Sequence, residues 1–544
     1  MDTLNVFRGP DSVSTYFDPD ANPPLPLVEI PGRLNPFRED GVRIYAKMLT
    51  ALPAHNVKSL PALKMLRAQP QASEKSIVEA SSGSTVLSLG ILSRVLWGHN
   101  DVTAHVTNKK HPDSLRLLRF FGLKVSLYGG LAQQEPTDPQ GIMNRLRQRA
   151  AIDDSILYPG QYDNENNWKA HETWTGPQIL RQLPEINIFC TTVGTGGCIT
   201  GTGLYLKTEK PTVRVVGVFN VFGDPTPGPR HYHGFHTCGF PWKDSVDAQV
   251  EVSSADAYRM SMKLSREGLI AGPSSGEALY GLLNYLSSVK AAGGLSALAD
   301  PNTGEVSCVF TCSDLPYQYI DGYFSKLAAD EFPPIHNDVL LSCDQDRHDE
   351  RWVLDPAEAL SRLGESPVTK LESSDTDDSG VGTDVGRVGL HHSTQMPSRW
   401  GKLSKWAKSC FSGTLAEPAC PSFTASELGQ TVVIDLRGRK SFQQQHLPGS
   451  ILLVEDGPEL PSGDVFGDAN AVHATWTRLR DLFEGPAAAG LLERCHKAKA
   501  AAVVVDHDGS AACIATALLR ARGIEAFSIR GGFTSLRTEL KGAR

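Results

Sequence analysis

Between residues 76 and 312, apolar runs of strand length alternate with longer amphipathic stretches. "SIVEA", "DVTAHVT", "LKVSLYG", "INIFCTT", "VRVVGVF" and "EVSCVFTC" read as strands. "STVLSLGILSRVLWG", "HPDSLRLLRFFG", "GIMNRLRQRAAI" and "DAYRMSMKLSREG" carry apolar residues at helical spacing. Strand alternating with helix predicts α/β architecture, with a largely parallel sheet covered on both faces. The pattern fails over residues 372–401, a stretch rich in Ser, Asp and Gly that reads as a mobile spacer. It resumes on a smaller scale near residue 425. "TVVIDLRG", "AAAVVVDHDG" and "IEAFSIRGG" read as strands leading into loops, and "ATWTRLRDLFE" as a helix. The chain therefore divides into a polar lead-in (1–22), a large α/β domain (23–365), a flexible linker (366–427) and a small α/β domain (428–544). "DPAEALSRLG" is read as a helix in a C-terminal extension of the large domain.

Length and charge narrow the function. A chain of 544 residues predicts two or three domains. A net charge of −8, with no Lys/Arg-rich block, argues against nucleic acid as a partner. No apolar run is long enough to span a membrane. The first twenty residues carry acids and no apolar core, so they read as neither a secretory signal nor a transit peptide. Ten scattered cysteines form no CxxC pair, so no metal site is expected. A reduced, cytoplasmic compartment fits this cysteine usage, with mitochondrial association left open.

Chemistry concentrates in "TVGTGGCITGTG", residues 192–203, which follows the strand "INIFCTT". A tight turn opening a helix suits an anion, since backbone N–H groups gather there. No GK[ST] follows, and the spacing misfits a dinucleotide fingerprint. Five further segments come in order around it: "AHNVKSL", "EASSGSTVLSLGI", "YPGQYDNENNW", "AGPSSGEAL" and "TCSDLPYQY".

Together these segments resemble the cysteine synthase and cystathionine β-synthase family, over roughly residues 23–330. The resemblance implies a pyridoxal 5′-phosphate enzyme of fold type II, the tryptophan-synthase-β-like fold, with two α/β subdomains. It implies Lys58 as the lysine that holds the cofactor as an internal aldimine and moves the Cα proton. Ser81, Ser82, Gly83, Thr85 and Gln161 match the positions that take the substrate carboxylate. Gly194, Thr195, Gly196, Gly197 and Cys198 match the phosphate loop, Ser84 the contact to the phenolic oxygen, and Ser313 the partner of the pyridine nitrogen. A serine at that nitrogen leaves it poorly protonated, which suits loss of a β-leaving group. The implied reaction is β-replacement on an O-acetylserine-like or serine-like amino acid, through an aminoacrylate. Sulfide, a thiol or another nucleophile adds, giving cysteine or a β-substituted alanine. β-Elimination, or a non-catalytic scaffold of two decayed domains, are the alternatives. The resemblance further implies a homodimer. Several positions depart from the family: Ser59 and Leu60 replace an acid and an arginine, Ser84 an asparagine, and Cys198 a threonine.

Residues 428–544 resemble a rhodanese domain through "IDLRGRKSFQQQHLPGSILL", where Asp435, Arg437, His446, Pro448 and Gly449 keep the signature, and through Gly531–Gly532. In that family a loop cysteine carries a persulfide. Here Asp506 stands in its place, and Ala511 replaces the loop arginine. Cys513, seven residues beyond Asp506, is expected about two turns into the next helix. An aspartate cannot carry sulfur, so this domain is read as a structural or docking module with a protein partner.

Overall fold

The structure is a computed structural model. It describes residues 5–81, 83–110, 112–130, 135–234, 239–343, 349–364, 431–447, 449–454 and 459–542. Ser82, Pro448 and the expected linker over 366–427 therefore lie outside the described residues. The chain separates into two compact units, 1–333 and 334–544.

The first unit carries two sheets. Strands β1 (Leu27–Glu29) and β2 (Val42–Met48) open the chain, followed by β3 (Ser76–Glu79), β4 (Val102–Thr107), β5 (Lys124–Tyr128) and β6 (Ile156–Leu157). Then come β7 (Ile186–Thr192), β8 (Arg214–Asn220), β9 (Ala248–Val252) and β10 (Val306–Cys312). A four-stranded parallel sheet has the order β5-β4-β3-β6, and a six-stranded sheet the order β1-β2-β10-β7-β8-β9. Only β1 runs antiparallel to its neighbour in the larger sheet. Strands β7 and β10 are buried almost throughout, as central strands covered on both faces must be.

Helix Pro273–Ala291 packs its Ala278, Leu279, Leu282 and Leu286 into the core of the larger sheet. Helices Ser59–Arg67 and Ser84–Trp97 supply the core of the smaller one. Where the β7–β10 register shifts at Ser307, the amide freed by the irregularity donates to Asn187 Oδ1 at 2.7 Å.

The lead-in belongs to this unit. Asp18 pairs with Arg67 at 2.8 Å, and Trp174 Nε1 donates to Asp20 Oδ1 at 3.1 Å.

The second unit has a five-stranded parallel sheet built from β11 (Val353–Leu354), β12 (Val432–Asp435), β13 (Ile451–Leu452), β14 (Ala502–Val505) and β15 (Ala526–Ile529). Its order is β11-β15-β14-β12-β13. This corrects one expectation about residues 349–364. Val353–Leu354 pairs with Ser528–Ile529, and Leu354 and Leu360 enter the core beside Val503 and Phe527. The segment is therefore an edge of the second sheet and not an extension of the first unit.

Candidate active site

The strand ends of both sheets in the first unit face one crevice, where open α/β sheets bind ligands. A cavity of about 440 Å³ occupies it. Its lining brings together Lys58, Ser81, Gly83, Ser84, Thr85, Gln161, Gly194, Thr195, Cys198 and Ser313. Gly196 and Gly197 complete the same turn without lining the cavity.

Lys58 stands at the start of helix Ser59–Arg67. Its approach is pinned on both sides. Val57 N–H donates to the Ser313 carbonyl at 2.7 Å, and Lys58 N–H donates to Asn56 Oδ1 at 3.0 Å. Asn56 Oδ1 also accepts from Ser88 at 3.0 Å, which ties the turn to helix Ser84–Trp97. Desolvation lowers the Lys58 ammonium pKa below the ordinary lysine value, against the pull of Cys198 and Asp314. A desolvated amine of this kind is poised to lose its proton.

The loop after β3 opens helix Ser84–Trp97 with Gly83 at its N-cap. Thr85 Oγ1 donates to Gln161 Oε1 at 2.6 Å, so two expected carboxylate contacts are already joined. Behind them, Glu79 accepts from Ala80 N–H and Gly160 N–H, each at 3.1 Å, and burial pushes its carboxyl up to about 8. One side chain thus holds both loops.

The glycine run divides its labour. Gly196 has φ +86°, a left-handed conformation that turns β7 into helix Gly197–Glu209. Gly197 and Gly201 instead allow close packing. A Cβ on Gly197 would overlap Asn167 Oδ1, and one on Gly201 would overlap the Trp168 carbonyl. Asn167, from "QYDNENN", donates to the Gln161 carbonyl at 2.6 Å and to Thr195 Oγ1 at 3.0 Å. Thr191 Oγ1 lies 3.9 Å from Cys198 Sγ, and burial raises that thiol's pKa.

Sequence reasoning missed three charged lining residues: Asp314, Lys110 and Arg230. Asp314 Oδ2 accepts from Tyr319 at 2.5 Å and from Gln318 at 3.1 Å, and burial pushes the carboxyl up to about 6. Its signal was present in "TCSD", one residue beyond Ser313. Lys110 follows β4 in "NKK", and Arg230 ends "PGPR". Neither segment carries a chemical pattern by itself.

In the second unit, the loop after β14 places Asp506 where backbone N–H groups converge. Its carboxylate accepts from Gly509 at 2.6 Å, Ala511 at 2.8 Å and Ala512 at 3.2 Å. The loop's anion-binding donors are thus filled by the chain's own side chain. Cys513 lies in the first turn of helix Ser510–Ala521, closer to the loop than the sequence suggested, with Sγ 3.5 Å from Ser528 Oγ. Desolvation raises its thiol pKa, and the Asp506 charge acts in the same direction. The signature pair is intact: Arg437 makes a two-pronged contact with Asp435, at 3.0 and 2.6 Å, and its guanidinium stacks 3.5 Å over the Phe533 ring.

Two sheets, parallel but for the edge strand β1 and facing one crevice, with a desolvated lysine on one wall and a glycine turn on another, define an α/β enzyme for a phosphorylated carbonyl cofactor. A family model described as pyridoxal-phosphate dependent enzyme matches residues 20–294, and the chain belongs to that family. A rhodanese-like domain model matches residues 424–539. A cysteine synthase of Aquifex aeolicus is 29% identical over 52% of this chain and 86% of its own length. An N-(2-amino-2-carboxyethyl)-L-glutamate synthase of Ralstonia nicotianae is 31% identical over 46% of this chain and 76% of its own. The crystal structure of a hydrogen sulfide-producing enzyme from Fusobacterium nucleatum aligns with a TM-score of 0.48 and 22% identity, covering 58% of this chain and 99% of that one.

The residues present fit pyridoxal phosphate. The turn offers uncharged N–H donors at a helix start, and the lysine amine is desolvated beside an open cavity. Among the described residues no helix is long and apolar enough to cross a membrane.

Proposed function

We propose that the first unit catalyses β-replacement on a small amino acid carrying a β-leaving group. The observation that carries this reading is the shared cavity: a desolvated lysine, the loop residues Ser81 and Gly83 to Thr85, and the glycine turn line one space. Lys58 would hold the cofactor's aldehyde carbon, the turn Gly194–Cys198 its phosphate, Ser84 its phenolic oxygen and Ser313 its ring nitrogen. Bound there, the cofactor supplies an electron sink for Cα. Ser81, Ser82, Gly83 and Thr85 orient the substrate carboxylate, with the Gln161 amide beside Thr85. Lys58 would take the Cα proton of the bound amino acid and return it after the nucleophile adds. The curated relatives named above support a replacement reaction, since both are named as synthases of amino acids. A homodimer and a protein partner for the second unit belong to the same proposal. That unit transfers no sulfur, because Asp506 fills its own loop.

The test is product analysis. Holoenzyme given O-acetyl-L-serine, O-phospho-L-serine or L-serine with sulfide should release cysteine, and Lys58→Ala should lose at least a thousandfold in rate, as expected when a covalent and acid–base group is removed. With thiosulfate and cyanide the same preparation should form no thiocyanate. Pyruvate as sole product would replace the reading by elimination. No product from any donor would end it.

A further inference from the structure

Asp314 has no task in the proposed chemistry, yet the chain brings it to the lysine that does. Asn56 pairs with Asp314 in an isolated antiparallel bridge, and Val57 N–H donates to the Ser313 carbonyl at 2.7 Å. Lys58 follows directly, and both Lys58 and Asp314 line the cavity.

The seat of Asp314 is built for a carboxyl group. Gly272 N–H donates to the Asp314 carbonyl at 2.8 Å, and Ser313 N–H donates to Ser275 Oγ at 2.9 Å. Residues 313 and 314 therefore lie over the start of helix Pro273–Ala291. A Cβ on Gly272 would overlap Asp314 Oδ1, so the glycine makes room for the carboxyl. Oδ2 accepts from Tyr319 and Gln318, while Oδ1 is buried with no hydrogen-bond partner among the described residues. Two donors and the positive end of a helix favour the ionised form, against the cost of burying it.

Three titratable groups act on Lys58 or respond to it, each from a different element: Cys198 in helix Gly197–Glu209, His171 in the turn His171–Thr175, and Asp314 just beyond β10. Burial raises the Cys198 thiol and pushes His171 down to about 3, so both are neutral near pH 7. Asp314 is the one of the three that carries charge there, because its carboxyl, pushed up to about 6, is ionised above that value. Tyr258, Tyr319 and Tyr323 surround Asp314 as phenols that burial keeps protonated. Lys58 and Asp314 make no hydrogen bond to each other among the described residues. Each charge favours the other through the cavity, where burial weakens screening.

We propose that Asp314 is a positioning residue, the counter-charge of the Lys58 ammonium, and that it sets the pH at which Lys58 exchanges the Cα proton. This rests on the β-replacement reading above. In the exchange the Cα–H bond breaks and its electron pair stays with the substrate, while the Lys58 amine gains the proton and becomes an ammonium. Asp314 holds that ammonium until the nucleophile has added and the proton returns to Cα.

Two readouts test this. In the full chain freed of cofactor, competitive labelling with acetic anhydride from about pH 6 to pH 11, read by peptide mass spectrometry, gives the titration midpoint of Lys58. Asp314→Asn should lower that midpoint by about one unit or more, because an ammonium without its counter-charge gives up its proton more readily. Tyr319→Phe removes a hydrogen bond and keeps the charge, so its midpoint should match that of the native chain. Asp314→Ser gives the same reading should Asp314→Asn not fold. In the holoenzyme with O-acetyl-L-serine and sulfide, the acid limb of kcat should move to lower pH by a similar amount in Asp314→Asn. A lowered labelling midpoint with no product from any donor would keep the pairing and end the replacement reading. Equal midpoints in the native and Asp314→Asn chains, an equal shift in Tyr319→Phe, or a moved acid limb without a moved midpoint would overturn the proposal.

Discussion

At the residue scale the site depends on a few buried groups whose charge is set by neighbours. Asp314 shows this best. Unfolded, its carboxyl titrates at 3.8; folded, burial holds it near 6. The folded chain therefore binds this proton more tightly, and the resulting stabilisation is full below the unfolded value and lost as pH rises through 6. The shift corresponds to about 3 kcal/mol. The Tm of the native chain should accordingly fall relative to that of Asp314→Asn between about pH 4 and pH 7. A constant difference across that range would contradict the assignment. The place of Lys58 on the cavity wall was legible in the sequence, because the resemblance carried by "HNVKSL" marks that lysine. Asp314 was not, because its role comes from burial and from Tyr319, five residues on, which no spacing announces.

At the element scale the alternation of apolar runs located most of the strands, since a parallel sheet buried on both faces demands continuous apolar segments. It failed at the short edge strands. Val353–Leu354 gives no periodic signal, and its partner β15 lies more than 170 residues away in sequence. The glycine run misled differently. Read as one cradle, it divides into a turn at Gly196 and a packing face at Gly197 and Gly201, because sequence cannot say which neighbour a missing Cβ admits. The β11 assignment has a direct consequence. Leu354 and Leu360 are 2% and 0% exposed. A fragment covering 428–544 lacks both, at about 1.5–3 kcal/mol for each leucine. It should unfold at lower urea than a fragment covering 334–544. Coincident urea transitions would show that β11 is not part of that sheet.

At the scale of the molecule, a chain of net charge −8 keeps a lysine-lined cavity in its first unit and a self-filled anion loop in its second. The excess acid resides elsewhere, where it favours solubility. In the first unit the proposed chemistry rests on one amine, that of Lys58, which lines the cavity. Borohydride reduction of the holoenzyme, followed by peptide mass spectrometry, measures this directly. A pyridoxyl group on the peptide bearing Lys58 is the predicted result. A pyridoxyl group on Lys47 or Lys110, or on no lysine of a protein that retains its cofactor, would contradict it.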